Sequence, residues 1–272
     1  MEIIKPSPNS PIGIFDSGLG GLTVLQTLEK YFPDESFIYF GDTARVPYGN
    51  KSSETVIHYS KQIVEFLENH NVKMVIVACN TSSALALKSM KDHFKIPIYG
   101  VIEPAVNFIE KNNTNDDSVV VLGTRATVES KAYSKIFNQS KSKKNIIEKS
   151  CPLFVPIVEE GMISGKIAED IIKHYLNEFN NKEIKQFILG CTHYPILKTT
   201  IQKILGKSVQ LISSGEALVP ELTEFMDKNN LYSSIQKLET QFYISDLPQK
   251  FHEIGSRFLG RKLKNINHVI NF

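Results

Sequence analysis

The sequence predicts an α/β protein built on mainly parallel sheets. Three observations carry that expectation. Short Val/Ile-rich runs alternate with longer stretches of helical periodicity. The runs show little alternation of polar and apolar residues, as expected of strands covered on both faces. The residues that follow the runs are small and polar, and the carboxyl ends of parallel strands are where such sheets gather ligands. Strand, helix, strand, helix reads as successive βαβ units.

The elements follow in chain order. Candidate strands lie at residues 12–16, 36–41, 74–78, 96–100, 118–123, 186–190, 208–212 and 241–245. Residues 52–70 place Val56, Tyr59, Ile63, Phe66 and Leu67 on one helical stripe, and residues 164–179 do the same with Ile167, Ile171, Ile172 and Tyr175. After the first strand stands Asp16-Ser17-Gly18-Leu19-Gly20-Gly21, and after the second Gly41-Asp42 and then Pro47-Tyr48-Gly49. Cys79-Asn80-Thr81 follows the third, Gly123-Thr124 ends the fifth, and Cys191-Thr192-His193 follows the sixth.

A faint repeat underlies this order. Val75-Ile76-Val77-Ala78-Cys79 matches Phe187-Ile188-Leu189-Gly190-Cys191, and the strand ending at Thr124 echoes the one ending in Asp16-Ser17. Both pairs lie about 110 residues apart, so the 272 residues divide into two similar α/β halves plus a tail from about Ser213. The polar turn at 112–117 is a candidate boundary.

Composition narrows the function classes. At 42% hydrophobic and 22% charged, the chain can bury a sizeable core. Its net charge of +2 gives no reason to expect nucleic acid or an anionic membrane as partner. The basic stretches at 131–149 and 257–264 read as solvated faces. No apolar run reaches the roughly 18 residues a membrane span needs, and no apolar leader opens the chain. Three cysteines without a CxxC pair are no disulfide framework, so a reducing, cytoplasmic setting is expected.

Cys79 and Cys191 each stand at a predicted strand-to-helix turn, where free helix N–H groups favour a thiolate. Cys151 has no evident counterpart and reads as core. A redox disulfide needs sulfurs about 2 Å apart. Zinc needs more ligands than Cys191 and His193 supply. A Cys–His nucleophile leaves the second thiol unexplained. Two acid/base groups related by duplication suit the inversion of a carbon centre, one removing a proton while the other donates one. Asp16, Asp42 and Glu159 can receive an ammonium or position a thiol. Ser17, Asn80, Thr81, Thr124 and Thr192 are short donors for a carboxylate, and Tyr48, Gly49 and His193 stand beside them. Asp16 also reads as a helix N-cap. Glu159-Glu160 reads equally as a solvated pair at a helix start. Gly18, Gly20 and Gly21 let backbone approach a ligand, but Thr23 stands where a dinucleotide fingerprint needs its third glycine.

These strings, taken in order together with Gly100-Val101-Ile102-Glu103-Pro104, Val158-Glu159-Glu160-Gly161 and Gly190-Cys191-Thr192-His193-Tyr194-Pro195, resemble the glutamate racemases of the aspartate/glutamate racemase family. The resemblance implies two pseudo-symmetric α/β domains, 1–100 with 213–272 and 101–212, with the active site in the interdomain cleft. It implies interconversion of L- and D-glutamate without PLP or metal, supplying D-glutamate for peptidoglycan. Cys79 would face the D-glutamate proton and Cys191 the L-glutamate proton. Asp16 and His193 would assist them, with Asp42 and Glu159 as auxiliary carboxylates. Substrate contacts would be Asp16, Ser17, Tyr48, Gly49, Asn80, Thr81, Thr124, Thr192 and His193. A homodimer is expected. Ser213 departs from the family pattern, which commonly has an acidic residue there. The short stretch before Pro11 argues against the activation by a nucleotide precursor that accompanies longer extensions. A two-thiol racemase for aspartate, and a non-catalytic amino-acid-binding module, are the competing readings.

Overall fold

The computed structural model describes residues 7–112, 118–140, 144–179, 183–246 and 248–270. Most of the candidate boundary at 112–117, residues 1–6 of the stretch before Pro11 and residues 141–143 of the first basic stretch lie outside the described residues.

Ten strands appear among them: β1 (Ile12–Asp16), β2 (Phe37–Gly41), β3 (Met74–Val77), β4 (Ile98–Gly100), β5 (Val119–Gly123), β6 (Ile146–Ser150), β7 (Gln186–Gly190), β8 (Gln210–Ser213), β9 (Gln241–Ile244) and β10 (Ile266–His268). They form two sheets in which every pairing is parallel, one in the order β10-β9-β2-β1-β3-β4 and one in the order β6-β5-β7-β8. Without β9 and β10 the first sheet has the order of the second, so β1 to β4 correspond to β5 to β8. After β8 the helix Ser214–Asn229 leads back to the first sheet, where β9 pairs with β2 and β10 with β9.

The expected parallel α/β character follows from burial. The five residues of β1, β2, β5 and β7 are all buried. Phe15, Phe40, Val75 and Val77 pack under Val56, Ile63, Val64 and Leu67 of the helix Ser53–Asn69. Ile12, Ile14 and Ile76 point to the opposite face, into a core shared with Leu122 and Leu189 of the second sheet. Ser52 caps the Ser53–Asn69 helix, accepting from the Thr55 N–H at 3.3 Å.

Two strands escaped the sequence reading. Ile146–Ser150 carries Glu148 and Lys149, and all five residues are only half-buried at a sheet edge. Ile266–His268 is three residues long and lies at the other sheet's edge. Neither has an apolar run to announce it. One helical stripe also shifts: in Gly165–Leu176 the buried residues are Ala168, Ile172 and Leu176, and Ile167 is exposed. In the described parts of the 131–149 and 257–264 stretches Lys131, Lys135, Arg257, Arg261, Lys262 and Lys264 are exposed, but Lys144 is buried; Lys149 pairs with Glu178, Arg261 with Glu29 and Lys264 with Glu239.

Candidate active site

The carboxyl ends of the two sheets meet at a cavity of about 390 Å³, a size suited to a small metabolite. Of the residues singled out from the sequence, Ser17, Tyr48, Gly49, Cys79, Asn80, Thr81, Thr124, Glu159, Cys191, Thr192 and His193 line it. Asp16 and Asp42 are fully buried behind the wall instead.

Cys79 follows β3 and caps the helix Asn80–Leu85, accepting from the Ser82 N–H at 3.5 Å. Its Sγ donates to Ser17 Oγ at 3.7 Å. Burial, and secondarily the charge of Asp16, push the thiol up to about 11, outweighing the cap. Cys79 therefore holds its proton at neutral pH. Asp16 does not cap the helix that follows β1, whose N-cap is Gly21. It accepts from the Gly18 N–H at 3.0 Å and from Thr192 Oγ1 at 3.3 Å. Burial raises its carboxyl against the lowering charge of His193.

Cys191 follows β7, the strand that corresponds to β3. No α-helix starts directly after it: a 3₁₀ turn, Tyr194–Leu197, intervenes before Lys198–Leu205. His193 takes the place of the expected helix terminus. Its Nδ1 lies 4.0 Å from Cys191 Sγ and its Nε2 lies 3.1 Å from Glu159 Oε1. Burial pulls this imidazole down, but the hydrogen bonds and charges of Cys191 and Glu159 outweigh it and raise His193 to about 10. One thiol thus has an anionic neighbour and the other a cationic one.

This pairing makes stability depend on pH. Folding raises the affinity of His193 for its proton, so the contribution is complete below about pH 6.5 and is lost as pH rises through about 10. Thermal unfolding across that window should show His193→Asn with a flatter dependence of Tm on pH than the parent. A parallel pair of curves would contradict the assignment.

Short contacts cross between the segments that follow the strands of the two sheets. Thr23 Oγ1 donates to Thr192 O at 2.8 Å, Tyr133 OH to Asn80 Oδ1 at 2.7 Å, and Thr81 and Thr124 share a hydrogen bond at 3.1 Å. Gly20 fits against this seam because it lacks a side chain. A Cβ there would lie 2.2 Å from Thr192 Oγ1 and 2.4 Å from His193 Nδ1.

Asp42 is an anchor for other residues. It accepts from the Tyr48 hydroxyl, from Arg45 Nε and from Ser245 Oγ at 2.8 Å, so its link to the cavity runs through Tyr48. Glu159 and Glu160 end a helix, Phe154–Glu159, rather than start one. Ser213, at the commonly acidic position, caps the helix Ser214–Asn229 and donates to Glu216 Oε2 at 2.7 Å. Cys151 does have a positional counterpart. It follows β6 as Asp42 follows β2, with Gly123 opposite Ser150 and Asp16 opposite Gly41. It is buried among apolar residues, which raises its thiol to about 12.

The cavity also has a residue the sequence reading passed over. Arg125, exposed at the start of the helix Arg125–Glu129, stands on the wall beside Thr124. Its place directly after a strand-end Gly-Thr was the available signal.

A duplicated parallel α/β fold with matched thiols on one cavity defines an enzyme of the racemase class. The family model described as Asp/Glu/Hydantoin racemase matches residues 12–222. The glutamate racemase of Chlorobaculum tepidum is 42% identical over 267 residues, 97% of this chain and 98% of that one. The crystal structure of the Francisella tularensis glutamate racemase in complex with D-glutamate shares 39% identity and a TM-score of 0.89, covering 96% of this chain and 98% of that one. The Bacillus anthracis isoform RacE1 shares 32% identity and a TM-score of 0.91 over the same fractions. The chain belongs to the aspartate/glutamate/hydantoin racemase family and is an isomerase.

Proposed function

We propose that this racemase interconverts L- and D-glutamate by a two-base mechanism in which Cys79 and Cys191 serve opposite faces of the α-carbon. The observation that carries the reading is the matched placement of two buried thiols, after β3 and after β7, on one cavity. Cys191 beside the His193 imidazolium is set to take the proton of L-glutamate, while Cys79 holds a proton to deliver to the other face. Asp16, behind Cys79, assists in the reverse direction, and Glu159 holds His193. Asp42 contributes by orienting Tyr48. No PLP or metal takes part in the proposed steps.

The substrate carboxylates are met by short donors, Ser17, Asn80, Thr81, Thr124 and Thr192. The Thr81–Thr124 pair, with Gly49 against it and Arg125 beside it, is the candidate seat of the distal carboxylate. The two sheets act as domains, 1–100 with 213–272 and 101–212, enclosing the substrate between them. D-Glutamate would serve peptidoglycan synthesis in the cytoplasm, a setting in which the three buried cysteines stay free. The expected homodimer belongs to this proposal too.

The distal-carboxylate seat sets the chain length accepted. One methylene is worth about 10- to 200-fold in discrimination, so kcat/KM should favour glutamate over aspartate by at least about tenfold. A preference for aspartate would overturn the substrate assignment and leave the fold and family untouched.

A further inference from the structure

The helix Pro248–Leu259 follows β9, a strand of the first sheet, yet its last turn reaches the groups around Cys191. Phe258 is buried and meets the His193 ring edge to face, with centroids 5.5 Å apart and planes at 88°. Its neighbour Arg257 bears on the loop that follows Glu159: a Cβ at Gly161 would lie 2.5 Å from Arg257 Nη1. One helical turn therefore touches the His193 ring and the chain two residues beyond its carboxylate partner. That turn is itself firmly seated. A Cβ at Gly255 would lie 2.7 Å from Leu263 Cδ1 and 3.0 Å from Leu22 Cδ1, so the helix packs closely against Leu22–Tyr31, next to Gly20.

We propose that Phe258 is a positioning residue for His193, and through it for the Cys191 half of the reaction. His193 Nδ1 reaches Cys191 Sγ at 4.0 Å, the outer limit of a sulfur hydrogen bond. Its hydrogen bonds act at the two ring nitrogens and leave the tilt of the ring about the line joining them to be set by packing. The perpendicular aromatic contact supplies that constraint. On the Cys79 side Asp16 is held by hydrogen bonds from the Gly18 N–H and the Thr192 hydroxyl. The ring that meets His193 thus comes from a segment outside the repeat.

This inference rests on the reading of Cys191 and His193 as the pair that serves L-glutamate. The test uses L- and D-glutamate carrying chloride at the β-carbon, each of which needs one proton removal. A thiolate takes the α-proton, the electron pair left behind forms the Cα=Cβ bond, and chloride leaves. Phe258→Leu should lower chloride release from the L-series at least tenfold and leave the D-series within twofold. Phe258→Tyr, which keeps the ring, should stay within threefold of the parent in both series. Ile254→Ala, a buried truncation on the same helix, should cost stability without separating the two series. Phe258→Met replaces the leucine variant if that one fails to fold, and carries the same expectation. Equal losses in both series, or none, would overturn the role of Phe258. Cys191→Ala run alongside separates the two levels. If it too affects both series alike, the underlying assignment of the thiols fails; if it is selective and the ring-free Phe258 variant is not, only the present inference fails.

Discussion

Cys79→Ala and Cys191→Ala should each abolish racemisation, yet each should spare a different half of the chemistry. Racemisation needs one group to remove a proton and another to return one, so losing either stops turnover by about 10³-fold or more, the scale of a general acid or base. Elimination of a β leaving group needs only the removal. Cys79→Ala should therefore still process the L-series and Cys191→Ala the D-series. The two thiols sit in separate settings, Cys79 beside Ser17 and Asp16, Cys191 beside His193 and Glu159. Removing one leaves the other's hydrogen-bond partners in place. Loss of both series in both variants, with substrate binding intact, would refute the division of labour.

Gly20→Ala should be nearly as damaging without touching a reacting atom. Its added methyl would fall 2.2 Å from Thr192 Oγ1, 2.4 Å from His193 Nδ1 and 2.7 Å from His193 Cε1. Separations that short force movement, and both neighbours hold the site: Thr192 donates to Asp16 and His193 faces Cys191. Displacements near 1 Å cost about 10²-fold in rate, so kcat/KM should fall by about that factor. The stability penalty should be that of ordinary overpacking, about 1–3 kcal/mol, leaving a folded protein. Near-parental kcat/KM would show that the Gly20 loop yields freely and that its closeness to His193 has no functional weight.

The eight strands read from the sequence are those whose residues are apolar enough to pack against helices. The site was legible for a related reason: in a parallel sheet the chain after each strand opens on the ligand face, so Ser17, Cys79, Thr124 and Cys191 could be gathered by strand order alone. What strand order does not contain is depth. Asp16 and Asp42 come from the same strand-end positions, but the wall in front of them is made by other residues, and the link from Asp42 to the cavity runs through Tyr48. Edge strands such as Ile146–Ser150 carry charges on a half-exposed ribbon and leave no periodic trace. With that strand unseen, Cys151 had no counterpart. Phe258 lies 65 residues beyond His193, and nothing local marks their contact.

In the proposed mechanism two different groups handle the two faces of one carbon. The most direct measurement starts from L-glutamate in deuterated water, with no added cofactor, and stops at a few per cent conversion. Two bases should give D-glutamate carrying deuterium at the α-carbon while the recovered L-glutamate keeps its hydrogen, because the proton taken by Cys191 is not the one delivered by Cys79. Product that retains the substrate's own α-hydrogen would point to a single base and contradict the two-base mechanism.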